Sequence, residues 1–216
     1  MSAFTIDGSS LTLTSQDINK AFKINFNGSV NGGPIDSRLT SEAIVTFLGF
    51  QQIGTGSTAV VEANFQVALF NTSDSDIQSR VSSFGFDVDK TLIGIGSRNS
   101  VGNTRTSGLF GQDSSGQMAN LGRMDVCFSA GNCSGGSNGG VTNFASTNQR
   151  FTYEQGEFSP TLSFRSVLTA TTSITIQDVG VRYQSINGDQ YRDASGTGVA
   201  TGGSAYWTEI PEGYLF

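Results

Sequence analysis

The chain contains no histidine. That absence excludes Ser-His-Asp and Cys-His nucleophile systems, and with them the zinc sites built on imidazole. Lysine is almost as scarce, present only as Lys20, Lys23 and Lys90. With a net charge of −6, the chain has little basic surface to offer nucleic acid or an anionic membrane. Charged residues of both signs make up 14%, against roughly a quarter in an average soluble domain. Hydroxyls and amides therefore coat the surface, a profile that leans toward an extracellular or cell-surface setting. No apolar run is long enough to cross a bilayer, so membrane insertion is not expected. The opening MSAFTIDGSS lacks the basic start and apolar stretch of a signal peptide. Either the chain is a mature exported one or the protein stays inside the cell, and the composition favours the first.

Cysteine is nearly absent too. Cys127 and Cys133 are the only two, in DVCFSAGNCSGGSNGGV (125–141). A redox centre favours Cys-x-x-Cys beside a βαβ pattern, and the spacing here is wider with no helix nearby. Two thiolates would hold zinc only with carboxylates or a second subunit. A short structural disulfide is expected, stabilising the fold by roughly 2–3 kcal/mol. Two buried free thiols are the alternative.

What the chain does have is 16 Phe and 28 Gly in 216 residues, and period-two alternation. AFKINFNG sets Phe22, Ile24 and Phe26 against Lys23, Asn25 and Asn27. VEANFQVALF and VSSFGFDVD alternate likewise, while AIVTFLGF is apolar on both faces and belongs centrally. Further strands are expected at 106–110, 123–128, 149–154, 160–168 and 172–185, the last with a β-bulge at Asp178 and Gly180. Polar and glycine-rich clusters, including 27–37 and 111–117, read as turns, and 15–21 as an isolated helical turn. The expected fold is all-β: a two-layer antiparallel β-sandwich, jelly-roll-like, with about ten strands and little helix. One domain is expected over 1–193. ASGTGVATGGS (194–204) reads as a linker and 205–216 as an aromatic tail.

Four groups of residues invite functional readings. Asn71, Asp74 and Asp76, with Asp87 and Asp89 one strand later, supply the oxygens a calcium ion needs, although Asp and Asn are also ordinary turn residues. Arg182, Tyr183, Asp189 and Tyr191 suggest a carbohydrate platform. The tail residues Tyr206, Trp207, Ile210, Tyr214, Leu215 and Phe216 form an apolar set that must dock, either on the chain's own sandwich or in a neighbouring subunit. Glu42 with Glu62, and Glu154 with Glu157, are the carboxylates a glycoside hydrolase would need, but nothing marks either pair out among 18 acidic residues. The glycine motifs GIGSRN and GTGVAT lack a third glycine and open no helix, so no nucleotide site follows.

Taken in order, LTLTSQDINKAFKINFNGSVNG, FLGF, LFNTSDSDIQSRVSSFGFDVD, DVCFSAGNCSGGSNGGV and VRYQSINGD resemble the core of the cistern-type PEP-CTERM proteins, over about residues 10–198. Such proteins are exported by bacteria together with exopolysaccharide. Their C-terminal Pro-Glu-Pro, membrane helix and basic tail have no counterpart after Pro211-Glu212. The resemblance implies an exported β domain with no established activity. With the residue readings, the expectation is a non-enzymatic structural or matrix protein that partners itself or exopolysaccharide and is capable of self-assembly into filaments. A calcium-dependent or carbohydrate-binding adhesin module is the alternative.

Overall fold

The computed structural model describes residues 4–97, 100–134, 139–146, 151–201 and 207–211. Fifteen strands lie among the described residues: β1 (Thr5–Asp7), β2 (Ser10–Thr14), β3 (Ala21–Val30), β4 (Ile35–Ile53), β5 (Val60–Asn71), β6 (Gln78–Val88), β7 (Gln112–Met118), β8 (Gly122–Ser129), β9 (Gly140–Thr142), β10 (Phe151–Tyr153), β11 (Gln155–Phe158), β12 (Thr161–Arg165), β13 (Ser173–Gly188), β14 (Tyr191–Thr201) and β15 (Trp207–Ile210). The all-β expectation holds, with more strands than the ten or so anticipated. Among the described residues no helix is long and apolar enough to cross a membrane.

The strands form one hydrogen-bonded sheet whose main path runs β10-β9-β6-β13-β14-β3-β4-β5-β11. Every pairing is antiparallel except that of β9 with β10. The sheet curls into a half-barrel, so its two layers are halves of one surface. Aromatic rings span the interior: Phe84 on β6 stands 6.2 Å from Phe26 on β3 and 5.8 Å from Phe158 on β11. Edge-to-face pairs of this kind add about 0.5–1.5 kcal/mol each beyond the area they bury. Asn71 joins the curl at one corner, its amide donating to Ser79 O at 3.0 Å and to Val141 O at 3.1 Å.

Alternation explains β3 and β5 directly. Phe22, Ile24 and Phe26 are buried, as are Val61, Ala63, Phe65, Val67 and Leu69. The bulge in β13 is also where expected: Gln177 pairs with Asp87 and Gly180 with Gly85, two residues facing one, and Asp178 takes φ 51°.

Three expectations need correction. Residues 106–110 are not a strand but part of a long loop tied down by isolated bridges, Arg105 to Thr161 and Gly108 to Phe158. The polar cluster at 111–117, expected as a turn, is β7 instead. The linker expected over 194–204 is strand as far as Thr201, where β14 pairs with β13 on one side and β3 on the other; residues 202–206 lie outside the described residues. Glycine misled the linker reading. A Cβ on Gly198 would stand 2.6 Å from Val181 Cγ2 and 2.8 Å from the Tyr183 ring, so the absence of a side chain is what lets these residues close over the strand.

Candidate functional site

The two cysteines are bonded. Cys127 on β8 reaches Cys133 with a Cα–Cα distance of 5.6 Å, and the bridge is buried among Met118, Met124 and Leu121. The Ser83 hydroxyl donates to Cys133 O at 3.2 Å, fixing the loop to β6. Replacing both cysteines with serine should lower stability by about 2–3 kcal/mol. A urea midpoint unchanged from that of the oxidised chain would refute this.

The five residues expected to share a calcium ion are not brought together. Asp74 and Asp76 precede β6 and Asp89 follows it, and eleven residues of strand at roughly 3.3 Å each keep the two groups on the order of 30 Å apart. Three of the four carboxylates have local work. Asp76 pairs with Arg38 at 3.3 Å, Asp87 accepts from Asp125 N at 2.8 Å, and Asp89 accepts from Thr175 N at 2.8 Å and binds Lys90 at 2.6 Å. Asn71 is buried and its amide is consumed by Ser79 and Val141. No cluster of three metal-ligating side chains exists among the described residues.

The expected sugar platform divides as well. Tyr183 is fully buried, and burial pushes its phenol upward although its hydroxyl bonds Ser41 Oγ at 2.7 Å. Arg182 is spent on carbonyls, donating to Gly196 O at 2.9 Å and Ser134 O at 3.2 Å. Asp189 is exposed in the β13–β14 turn. Only Tyr191 opens onto a groove.

Of the assembly set, Trp207 and Ile210 belong to β15, which pairs with β3 of its own chain. The Trp207 indole is buried and donates to Ser9 O at 3.0 Å. For these two residues the tail docks on the chain's own sheet, the first of the two alternatives expected above. Tyr206, Tyr214, Leu215 and Phe216 lie outside the described residues. Of the carboxylates weighed for hydrolysis, Glu62 is buried and held by Arg105, Glu42 binds Lys23 at 2.7 Å, Glu157 accepts from Gln66 at 3.1 Å, and Glu154 is exposed.

A groove of about 590 Å³ lies where the β3–β4 and β13–β14 hairpin tips meet. Its lining includes Pro34, Ile35, Asp36, Ser37, Arg38, Gln190 and Tyr191. Arg38 grips Asp36 with two bonds, Nε to Oδ1 at 3.0 Å and Nη2 to Oδ2 at 2.8 Å. It also donates from Nη1 to Asp76 at 3.3 Å. The Tyr191 hydroxyl donates to Asp36 Oδ2 at 3.1 Å and accepts from Gln190 Nε2 at 3.0 Å.

The hydrogen bonds from the Arg38 side chain are the main reason the Asp36 carboxyl is held at about 2 rather than 3.8; burial opposes them, and the Arg38 amide and Tyr191 assist. A depressed folded-state value contributes stability above the unfolded value and loses it as pH falls through the folded one. Stability should therefore decline between pH 3.8 and about 2, and Asp36→Asn should remove that part of the acid sensitivity. Identical acid titrations of wild type and variant, followed by fluorescence, would contradict it.

Asp36 and Arg38 are the site residues that sequence reading missed. Residues at i and i+2 of a strand share a face, so opposite charges in IDSR carried a signal, hidden by treating 27–37 as a turn. No family model, curated protein or solved structure matches this chain.

Proposed function

We propose that the chain is an exported, non-enzymatic structural module of an extracellular matrix or cell surface. The observation that carries this reading is the buried Cys127–Cys133 bridge, because such bonds form and persist in oxidising compartments. The hydroxyl- and amide-rich composition and the motifs resembling exported PEP-CTERM cores support the same setting. Self-association is part of the proposal: among the described residues, β1, β7 and β10 each pair along one side only, and half-paired strands are templates for another chain. Acid-quenched alkylation of intact cells, followed by fractionation and mass measurement, tests export. The expected result is a bridged chain in the outer fraction; reduced thiols in the cytosolic fraction would reject the reading. Negative-stain microscopy of the purified chain reports on assembly, with fibres or sheets expected and isolated particles at high concentration counting against it.

The groove at the hairpin tips favours a second reading, an adhesin-type binding module, since its polar groups are already held in place by Asp36.

A further inference from the structure

We propose that the groove between the β3–β4 and β13–β14 hairpin tips binds a neutral saccharide. The proposal deepens the second reading above and rests on it, while it is independent of the structural role, because it is read from the groove's own hydrogen-bond inventory.

Asp36 is a positioning residue. Its two oxygens accept four bonds: the Arg38 amide at 3.1 Å, Arg38 Nε at 3.0 Å, Arg38 Nη2 at 2.8 Å and the Tyr191 hydroxyl at 3.1 Å. A carboxylate offers about four lone-pair sites, so Asp36 has no capacity left for a ligand. What it does is fix the groups around it. A guanidinium carries five N–H donors, and three bonds from the Arg38 side chain to Asp36 and Asp76 leave donors available. Gln190 donates one N–H to Tyr191 and keeps its carbonyl oxygen and a second N–H. The Ser37 hydroxyl is exposed at the rim. Donors and acceptors are thus interspersed, which is the requirement for meeting hydroxyl groups that both give and accept protons.

The apolar part of the groove fits the same class. Pro34, Ile35, which is 56% exposed, and the half-buried Tyr191 ring lie beside the polar groups. A sugar presents C–H faces between its hydroxyls and covers such a surface, as amphipathic aromatic side chains favour. The groove of about 590 Å³ is open to solvent along its length, so a sugar would lie across it rather than be enclosed. Because the polar groups are held before binding, little ordering cost remains.

Charge selects the neutral members of the class. Asp36 and Asp76 face a single guanidinium, Arg38, and Asp189 stands exposed in the adjacent turn. Uronates, sulfated sugars and phosphosugars would meet this excess of negative charge.

Affinity electrophoresis of the full chain through native gels containing dextran, mannan, hydroxyethylcellulose or alginate tests the proposal. Retardation in at least one neutral gel, weak or absent retardation in alginate, and relief by the free oligosaccharide are expected. Gln190→Ala should weaken that retardation about five- to tenfold, the loss of one or two hydrogen bonds, without moving the melting temperature. Arg165→Ala, beside Val60 and so at the end of β4 remote from Ile35, should leave it unchanged. Free migration in all three neutral gels would overturn the proposal. So would stronger retention in alginate, or equal retention of Gln190→Ala and wild type.

Discussion

Replacing Glu62 with alanine is expected to destabilise the chain by about 3–5 kcal/mol, the usual cost of removing one partner from a buried ion pair. The Glu62 side chain is 1% exposed and Arg105 22%. Oε1 accepts from Arg105 Nη1 at 2.6 Å and from the Gly102 amide at 2.6 Å, while Oε2 accepts from Arg105 Nη2 at 2.9 Å. Alanine would leave the half-buried Arg105 guanidinium with only the Asn103 carbonyl, at 3.1 Å, and free the loop that it ties down. That loop carries Phe110, whose ring lies 5.0 Å from Phe158, so the interior would feel the loss. Removing both charges, as Glu62→Leu with Arg105→Met, should recover most of the stability, because the desolvation cost disappears with the pair. Burial alone would raise the Glu62 carboxyl, but the hydrogen bonds from Arg105 and Gly102 outweigh it and hold the group below its ordinary value. Its contribution is therefore present above the ordinary glutamate range and is lost as pH falls below it. Urea titrations of the two variants decide the matter: a loss below about 1 kcal/mol for Glu62→Ala, typical of an exposed pair, would refute the argument.

Truncating Trp207 to alanine should cost about 3–5 kcal/mol as well. The ring is 1% exposed and sits against an interior lined by Val45, Phe65, Phe84 and Ile176. Its indole N–H also answers the Ser9 carbonyl at 3.0 Å, which would be left without that donor. In a chain of this size such a loss lowers the melting temperature by about 10 °C. Deleting 207–216 should act in the same direction and leave a destabilised monomer, since β15 completes the chain's own sheet. If either variant melts with wild type, the tail is not part of the fold. Loss of polymers from a domain of unchanged stability would instead point to exchange between subunits.

Strong alternation was legible in the sequence because one face of each strand is core: Phe22, Ile24 and Phe26 declare β3, and the phase change at Asp178 declares the bulge in β13. β7 was not legible. Of QDSSGQM, only Met118 is a large apolar side chain, and its other buried side chain is Asp113, which accepts from the Gly96 amide at 2.7 Å. β14 failed for a different reason. Its glycines are the signature of a flexible linker and equally of a strand pressed from above, and only tertiary contact separates the two. A Cβ on Gly196 would stand 2.6 Å from Ser29 O, a neighbour that is distant in sequence. The groove followed the same logic. Tyr191 was visible as an aromatic residue near a turn, but its partner Asp36 lies 155 residues away, and no local pattern reports that distance. The calcium set erred by treating proximity in sequence across a strand as proximity in space.

The position of β15 governs the order in which this molecule can mature. Ala21–Ile24 of β3 are paired by β15, Trp207–Ile210, and β2 pairs with β13 through Leu11↔Ile176 and Thr14↔Ser173. The Trp207–Ser9 bond closes a span of 198 residues. Pairings this remote place the chain among high-contact-order proteins, which fold in milliseconds to seconds rather than microseconds. An emerging N-terminal portion therefore carries an open flank on β3, a template for aggregation, until the C-terminal strand has left the ribosome. Folding of the whole sheet therefore waits for β15, because neither half of the sheet is complete without the other.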